Sequence, residues 1–522
     1  MNLPSIRLCV AALLVSTLGL AVVQRSHLWY PSIAIRAQKA TVPIGLDFLF
    51  DARPTLSDCE TITGRIARLV LAQCKSCEIV RAECAPSIDE VGRQVLGTVP
   101  LPLPAGRMAN GVVRFQADDP DTAMAVCRQT EQATQGAPNP VTCQPPNKLR
   151  PPLDPHPAWS GLHALVLLLA CAAAALVGWL ILRYEHLHAH LSHDGVASGP
   201  QKVHTHPTPR VGGLAVLAGL LVAVGVTLVA GEGPLDREFG LLLVTAVPAF
   251  LGGLVEDLTK RVGVLERLML TMLAGALASL VMGAALGRLD MPWVDQALAW
   301  LPASVVFTAF AVGGITNAIN IIDGYNGLAS GFSIIVLMAI AVVANQFGDS
   351  LILCTALALA GALAGFMIWN WPHGRMFLGD GGAYLTGFLL AELAVLLVQR
   401  HEEVSAWFPL LLMVYPVFET LYSVYRRRAQ NGSSPGEPDN QHLHQMIHAW
   451  MLARAGATRR STDAIAMNSA VAKYCWAQAL VLAVMGVLFH QSTGVLVSMA
   501  LAYCLCYVLV YRHLARLRKN AA

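Results

Sequence analysis

Long apolar segments separated by short polar ones fill the chain after residue 158. A helix needs roughly 20 apolar residues to cross a bilayer core about 30 Å thick. Eleven segments in this part of the chain come close to that length, so the pattern predicts eleven membrane-spanning helices. The segments are 161–182, 211–230, 239–255, 266–287, 298–315, 330–345, 351–370, 383–398, 405–424, 474–490 and 494–511.

Another apolar segment, 8–23, precedes a long polar stretch. The pattern therefore predicts three parts: an N-terminal transmembrane anchor or signal at 1–23, an exported domain at 24–158 and a polytopic domain at 159–522. No small-x-small cleavage site follows the first segment, so we favour an uncleaved anchor over a signal peptide. The expected fold class is an all-α polytopic membrane protein that carries a small exported domain.

The basic residues give the orientation of the predicted helices. Cytoplasmic loops carry an excess of Lys and Arg. When the loops between the eleven later segments are sorted onto two alternating sides, one side holds only Arg237, Arg288 and Arg400, and the other side holds the rest. The richer side is therefore expected to be cytoplasmic. This orientation places residues 24–158 outside the cell membrane, in the periplasm or the extracellular space.

Composition agrees with a membrane protein. The 522 residues are 55% hydrophobic and 13% charged, whereas an ordinary soluble domain is about 25% charged. The net charge of +3 gives no basic footprint for nucleic acid. These values exclude a disordered chain and a nucleic-acid binder, disfavour a soluble multidomain enzyme, and leave the lipid bilayer as the first partner.

Six of the 12 cysteines lie in the predicted exported domain. An even number of cysteines in an exported segment predicts disulfides, with 15 pairings open. One pair forms a CxxC, which could instead be redox-active or bind a metal. The domain offers no catalytic constellation, and a binding role and a purely structural role stay equally open. The six residues are Cys59, Cys74, Cys77, Cys84, Cys127 and Cys143.

Unusual polar motifs collect on the predicted cytoplasmic side. Carboxylates at a membrane edge are hard oxygen ligands that suit Mg²⁺, and basic side chains beside them suit phosphate oxygens. Glycine pairs let the backbone approach a phosphate and offer N–H donors. Together these groups predict phosphoryl transfer between a lipid and a cytosolic nucleotide. The motifs are KVHTHPTPRVGG (202–213), GGLVEDLTKR (252–261), NAINIIDGYNGLASG (317–331), GRMFLGDGGAYLTG (374–387) and PDNQHLHQMIH (438–448).

Each motif alone also has an ordinary structural interpretation. Glu256 and Asp257 could be a solvated helix end, and the Asp-Gly sequence at Asp323 could be a simple turn. His442 and His444 could bind zinc, although no cysteine is near them in the sequence. The argument for catalysis comes from the set, because all the motifs lie on one membrane face.

Taken together, the motifs resemble the polyprenyl-phosphate N-acetylhexosamine-1-phosphate transferases over roughly residues 160–450. The resemblance implies transfer of a sugar-1-phosphate from a UDP-N-acetylhexosamine to undecaprenyl phosphate, giving a diphosphate-linked sugar lipid and UMP for cell-wall or surface glycan synthesis. It also implies Mg²⁺ as cofactor, with Mn²⁺ as the alternative, an active site on the cytoplasmic face of the bacterial inner membrane, and a homodimer, since dimers are common in that family.

The resemblance also implies roles for individual residues. Asp380 and Asp323 would bind the metal, Phe377 would stack on the uracil, and Asp257 would orient or deprotonate the lipid phosphate. The full catalytic set is Glu256, Asp257, Asp323, Asp380, His442 and His444. The substrate-binding set is Lys202, Arg210, Asn317, Asn320, Asn326, Arg375 and Phe377.

Two residues depart from the family pattern. Glu256 stands where the family has Asp, and Asn326 stands where it has a second Asp. These departures keep an alternative open, namely a non-catalytic or transport-type membrane protein that retains the fold. For the reaction itself, direct attack by the lipid phosphate competes with a covalent route through Asp257.

Overall fold

The computed structural model describes most of the chain from residue 161 onward and six strands before it. The described ranges are 30–37, 45–50, 77–85, 95–102, 108–116, 142–144, 161–194, 208–231, 234–428, 439, 441–455 and 461–521, with the single residues 63 and 128. The predicted anchor at 8–23 lies outside them. The chain divides into two compact units, of which one is Ala21–Pro155 and the other contains His156–Ala522.

The first unit contains a six-stranded antiparallel sheet, for which the sequence analysis predicted no secondary structure. The strands are β1 (Tyr30–Ala37), β2 (Gly45–Phe50), β3 (Cys77–Ala85), β4 (Val95–Pro102), β5 (Met108–Gln116) and β6 (Thr142–Gln144). Their order in the sheet is β3-β1-β2-β5-β4-β6. The expected disulfides lie outside the described side chains and stay a prediction.

The second unit is almost entirely helical. In its described part, ten helices are long and apolar enough to cross a membrane, which supports the expected polytopic class. A two-residue ribbon of β7 (His193–Asp194) and β8 (Thr208–Pro209) joins the first two long helices. The helices are α1 (Gly161–Arg183), α2 (Glu185–Ser192), α3 (Gly212–Ala230), α4 (Pro234–Thr259), α5 (Val264–Met282), α6 (Pro292–Leu298), α7 (Leu301–Ile322), α8 (Leu328–Gln346), α9 (Ser350–Asn370), α10 (Gly379–Arg400), α11 (Trp407–Leu412), α12 (Val414–Arg426), α13 (Leu443–Ala455), α14 (Ser461–Leu488) and α15 (Thr493–Ala521).

The predicted span 405–424 is not one continuous helix. It consists of α11 and α12, which meet at Met413. Pro416 explains the break, because proline has no N–H to donate to the carbonyl of Leu412 and its ring clashes with that carbonyl. The two helices still connect opposite ends of the bundle. The Ser405 N–H donates to the His490 carbonyl at one end, and Arg426 pairs with Asp439 at the other.

Helix α10 lies at the centre of this unit and is buried from Gly379 to Val398. It packs against α3, α4 and α7, and small residues allow the close approach. A side chain at Gly213 would collide with the backbone of Gly382, and one at Gly253 would collide with Asp380. The N-terminus of α10 therefore meets the ends of several helices at one place, which is where the polar motifs lie.

Candidate functional site

Asp257, near the end of α4, caps the N-terminus of α10. Its two carboxylate oxygens accept the backbone N–H groups of Asp380, at 3.0 Å, and Gly381, at 2.9 Å. The first N–H groups of a helix have no partner within the helix, and a negative charge there also interacts favourably with the helix dipole. The residue is 2% exposed, so both of its oxygens are committed to holding α10.

Two arginines hold Asp380, one from the loop before α3 and one from α5. Arg210, before α3, places its Nη2 atom 3.3 Å from Asp380 Oδ1 and 3.6 Å from Asp257 Oδ1. Arg267, in the first turns of α5, donates to Asp380 Oδ2. Such charge-assisted bonds are the stronger hydrogen bonds in proteins. The Asp380 carboxylate is thus fixed between two guanidinium groups at the rim of the bundle.

Asp323 completes the acidic cluster at the end of α7. Burial raises the pKa of its carboxyl well above the ordinary value, Arg210 opposes this shift, and the charges of Asp380 and Asp257 add to it. The structure therefore brings together three carboxyl groups from separate motifs, of which the first and the last are more than a hundred residues apart in the sequence. We name Asp257, Asp323 and Asp380 the acidic cluster.

The loop that contains Arg210 is tied to the loop before α10 by backbone bonds. The Phe377 N–H donates to the Pro209 carbonyl at 2.8 Å, and the Gly212 N–H donates back to the Phe377 carbonyl at 3.0 Å. The Gly213 N–H donates to the Leu378 carbonyl at 2.9 Å. The expectation that this glycine pair offers N–H donors to a phosphate is therefore wrong, because both groups are already bonded within the protein.

Glu256 makes its hydrogen bond in the turn between α4 and α5. Its Oε2 atom accepts the Val262 N–H at 2.8 Å and closes the turn after α4. Of the predicted acidic pair, the structure thus brings Asp257 into the cluster and gives Glu256 a contact in the neighbouring turn. The catalytic role expected for Glu256 stays a prediction.

The three asparagines of the third motif occupy different environments. Asn317 and Asn320 belong to α7 and not to a loop, because the apolar residues between them continue the helix. Asn317 donates to Thr271 Oγ1 at 3.1 Å and to the Gly313 carbonyl at 2.8 Å. Asn320 donates to the Tyr384 hydroxyl at 3.3 Å, beside the cluster.

Asn326 holds the loop between α7 and α8. Its N–H donates to Asn468 Oδ1 at 2.9 Å, and its Nδ2 donates to the Pro372 carbonyl at 2.9 Å. The residue is 3% exposed. These contacts give Asn326 a structural task, and its expected substrate contact stays a prediction.

The other predicted substrate-binding residues lie in the loop before α10 or outside the described ranges. Phe377 is half-buried, two residues before the start of α10, and Arg375 is exposed in the same loop. Lys202 lies outside the described residues. Their contacts with a nucleotide stay predictions.

The two histidines lie side by side at the start of α13, with ring centroids 5.4 Å apart. The Nδ1 atom of His442 lies 2.9 Å from the Glu419 carboxylate, and its Nε2 atom lies 3.6 Å from Asp439. Glu419 also accepts the Tyr507 hydroxyl at 2.8 Å. His442 is thus flanked by two carboxylates.

His444 has a different environment. Its Nδ1 atom lies 3.0 Å from the Tyr415 hydroxyl, and its ring meets the Tyr325 ring edge-on, with centroids 5.6 Å apart. Burial and the neighbouring charge of His442 lower the pKa of His444 well below its usual value. It is therefore a neutral imidazole at neutral pH, next to the loop that begins with Asp323.

Three residues of this site escaped the sequence analysis as functional candidates. Arg267 contributed only to the charge count of the loops, although a lone arginine within the apolar helix VLERLML was a usable signal. Tyr384 and Glu419 gave no local signal, because their importance comes from contacts between distant helices.

Known proteins with similar sequences indicate the family of this chain. A family model described as glycosyl transferase family 4 matches residues 239–398. The chain is 29% identical over 256 residues to the probable undecaprenyl-phosphate N-acetylglucosaminyl 1-phosphate transferase of Bacillus subtilis. The aligned region covers 48% of this chain and 69% of that protein. The match to the decaprenyl-phosphate N-acetylglucosaminephosphotransferase of Mycobacterium leprae is 31% over 278 residues, covering 47% and 67%.

A third relative is the undecaprenyl-phosphate alpha-N-acetylglucosaminyl 1-phosphate transferase of Yersinia pestis, 27% identical over 319 residues that cover 60% of this chain and 81% of that protein. The chain therefore belongs to glycosyl transferase family 4, which confirms the resemblance read from the motifs. The matched range 239–398 contains all of the acidic cluster.

Proposed function

We propose that this protein transfers an N-acetylhexosamine-1-phosphate from a UDP-linked donor to undecaprenyl phosphate, at the cytoplasmic face of the bacterial inner membrane. The relatives from B. subtilis and Y. pestis are named for this type of reaction with N-acetylglucosamine. The structural observation that carries the proposal is the acidic cluster at the buried N-terminus of α10, with its two arginines.

The charges of the cluster suit a reaction between two anions only if a cation joins them. Two guanidinium groups lie among three carboxyl groups, and burial together with the neighbouring carboxylates raises the pKa of Asp323, so the cluster has no surplus of positive charge. A lipid phosphate and a nucleotide diphosphate would add more negative charge. Among the described residues, no group of three or more His, Cys, Asp or Glu side chains forms a ready-made metal site.

The donor set nevertheless fits Mg²⁺. This ion usually takes one or two carboxylates from the protein and completes its shell with water and substrate phosphates. Asp323 and Asp380 would hold it, and Mn²⁺ would take the same oxygen ligands. When bound, the ion would neutralise charge on the phosphates and polarise their oxygens.

The contacts of Asp257 favour direct attack over the covalent route. Both of its oxygens accept backbone N–H groups, and the side chain is buried, so a nucleophilic role would require α10 to lose its cap. In the direct reaction, an oxygen of the lipid phosphate attacks the β-phosphorus of the nucleotide sugar. The bond from that phosphorus to the bridging oxygen breaks, its electron pair stays on the oxygen, and UMP leaves.

A phosphate monoester is mostly a dianion at neutral pH, since its second pKa is near 6. A strong base is therefore not needed, and the protein mainly has to position two anions. Arg210 and Arg267 would compensate charge, while the loop from Arg375 to Phe377 would contact the nucleotide. His442 and His444 would contact the sugar diphosphate from the α13 side.

An assay with the purified full chain, undecaprenyl phosphate and a panel of UDP-sugars tests the reaction and the donor together. We expect Mg²⁺-dependent release of UMP with a UDP-N-acetylhexosamine, and its loss in Asp380→Asn. Normal turnover of that variant would remove Asp380 from the metal site, and failure of every donor would overturn the reaction. Release of UMP with labelled protein in the absence of acceptor would overturn direct attack.

The transport-type alternative is not favoured. Transporters usually bind their substrates near the bilayer midplane, between repeats, whereas the clustered charges here lie at helix ends on one side. An exported disulfide-containing domain, an uncleaved anchor and a homodimer complete the proposed organisation. Reductant-sensitive mobility of the secreted 24–158 fragment on a gel would test the disulfides.

A further inference from the structure

Three buried side chains from three helices form a hydrogen-bonded series behind the histidine motif. The Sγ atom of Cys475, in α14, lies 3.7 Å from the hydroxyl of Tyr415, in α12. That hydroxyl lies 3.0 Å from Nδ1 of His444, in α13. Cys475 and Tyr415 are fully buried and His444 is 1% exposed. We name these residues the buried trio.

The hydrogens of the buried trio can be assigned by counting donors. A phenol has one hydrogen, and a thiol is a weak donor and a weak acceptor. The geometry makes the Cys475 thiol the donor to the Tyr415 oxygen. The phenol hydrogen then goes to Nδ1 of His444, a much better acceptor than sulfur. A neutral imidazole that accepts at Nδ1 must carry its hydrogen on Nε2.

The other ring nitrogen of His444 faces the proposed active site. A Cβ atom added to Gly324, which follows Asp323, would lie 3.7 Å from Nε2 of His444. Within the described part of the chain, this nitrogen has no hydrogen-bond partner. The structure thus keeps an N–H donor beside the loop at the acidic cluster.

In His442 it is Nδ1, and not Nε2, that must carry a hydrogen. The carboxylate of Glu419 can only accept, so Nδ1 of His442 carries a hydrogen and donates it. The two histidines are therefore not equivalent, although only one residue separates them in the sequence. A shared metal-binding role would not need this difference.

We propose that Tyr415 is a positioning residue that holds His444 in its Nε2–H form, so that this N–H donates to a phosphate oxygen of the nucleotide sugar. The inference rests on the proposed transferase function. Tyr415 itself would not touch the substrate, and it would act only through His444.

Kinetics of the full-length protein separate this role from a merely structural one. In Tyr415→Phe the His444 ring is free to carry its hydrogen on either nitrogen, and we expect kcat/KM to fall by about 10-fold to 100-fold, as for other outer partners of a functional histidine. Tyr503→Phe is the matched control, because it removes another buried tyrosine hydroxyl, which donates to Gln478 at 3.1 Å. The control should keep near-normal activity.

A double-mutant cycle sharpens the test. The amide NH₂ of His444→Gln takes the place of Nε2–H and needs no fixed tautomer, whereas that of His444→Asn takes the place of Nδ1. We expect the glutamine variant to retain more activity than the asparagine variant. Adding Tyr415→Phe to His444→Gln should cost little further activity. An equal loss in both backgrounds would make Tyr415 a structural residue and overturn the proposal.

A second readout does not depend on turnover. Nitrogen-15 spectra of the histidine-labelled full chain distinguish the two tautomers, and subtraction of the His444→Gln spectrum identifies the signals of His444. We expect the Nε2–H form, and its loss in Tyr415→Phe. An Nδ1–H form in the unaltered protein would overturn this inference. An inactive protein with the expected spectrum would instead contradict the proposed function alone.

Discussion

Arg267 donates to the carboxylate of Asp380, so that α5 and the N-terminus of α10 are joined by an ion pair at the acidic cluster. Both partners are mostly buried, with side chains 17% and 9% exposed. In such surroundings an arginine both neutralises charge and fixes the direction of a carboxylate.

Replacing Arg267 should impair catalysis without unfolding the protein. In Arg267→Gln the Asp380 carboxylate loses one of its two guanidinium partners, and we expect kcat/KM to fall by about 10-fold to 100-fold. UMP release at saturating Mg²⁺ measures the loss. Arg261→Gln is the control, since Arg261 is exposed in the turn between α4 and α5. Equal activity of the two variants would contradict a role for Arg267.

The cap of α10 predicts a difference between the two neighbouring acidic residues of α4. Asp257→Asn turns one backbone acceptor into a donor that faces an N–H and removes charge from a helix N-terminus. We expect a loss of about 1–2 kcal/mol in stability, together with a loss of activity. Glu256→Gln keeps an acceptor for Val262 and should leave the melting temperature in detergent nearly unchanged. Equal destabilisation of both variants would argue against the cap.

Glu392, within α10, predicts a substitution that increases stability. It is fully buried, and both of its carboxylate oxygens lack a hydrogen-bond partner among the residues that the structure describes. An unsatisfied buried polar group costs about 1–3 kcal/mol, so Glu392→Leu, which has a similar size, should raise the melting temperature. Glu419 is also 1% exposed, but it accepts three donors, from His442, Leu443 and Tyr507.

Glu419→Leu is therefore the matched control for Glu392→Leu. It should lower the melting temperature, because the same substitution leaves three buried donors without a partner. If Glu392→Leu destabilised the protein as much as Glu419→Leu, then Glu392 would have an important partner or function within the membrane.

The contacts of Asp439 predict a pH-dependent contribution to stability. Burial alone would raise the pKa of its carboxyl, but the charge of His442, the Ser423 hydrogen bond and the Arg426 ion pair outweigh burial, so the pKa lies below its usual value. The folded state therefore binds this proton less readily than the unfolded state, and the stabilisation is present above about pH 4 and lost as the pH falls.

Asp439→Asn should accordingly lower the melting temperature at pH 7, and its difference from the unaltered protein should shrink below about pH 4. Thermal unfolding in detergent between pH 3 and pH 7 measures the effect. A difference that does not change with pH would mean that packing, and not charge, gives Asp439 its importance.

The hydrophobic pattern predicted most of the membrane domain but misplaced several helix ends. Its segments 266–287 and 298–315 correspond to α5 and α7, and the latter helix extends to Ile322. The two asparagines near its end looked like loop residues, because the partners that satisfy them belong to other helices. The six-stranded sheet of the first unit had no comparably simple hydrophobic pattern.

The acidic residues of the site could be found from the sequence because they stand in unusual motifs. Their exact tasks could not be found, since Asp257 acts on the backbone of a helix more than a hundred residues away. Tyr415 shows the same limit. Nothing around it in α12 indicates that its hydroxyl meets a histidine of α13 and a cysteine of α14.

Three backbone hydrogen bonds join the loop that contains Arg210 to the loop before α10. Their donors and acceptors are main-chain atoms of Pro209, Gly212, Gly213, Phe377 and Leu378. A substitution of the Phe377 ring therefore leaves the donors and acceptors of these bonds in the chain. The side chain that is expected to meet the base can thus be exchanged without removing any of the atoms that join the two loops.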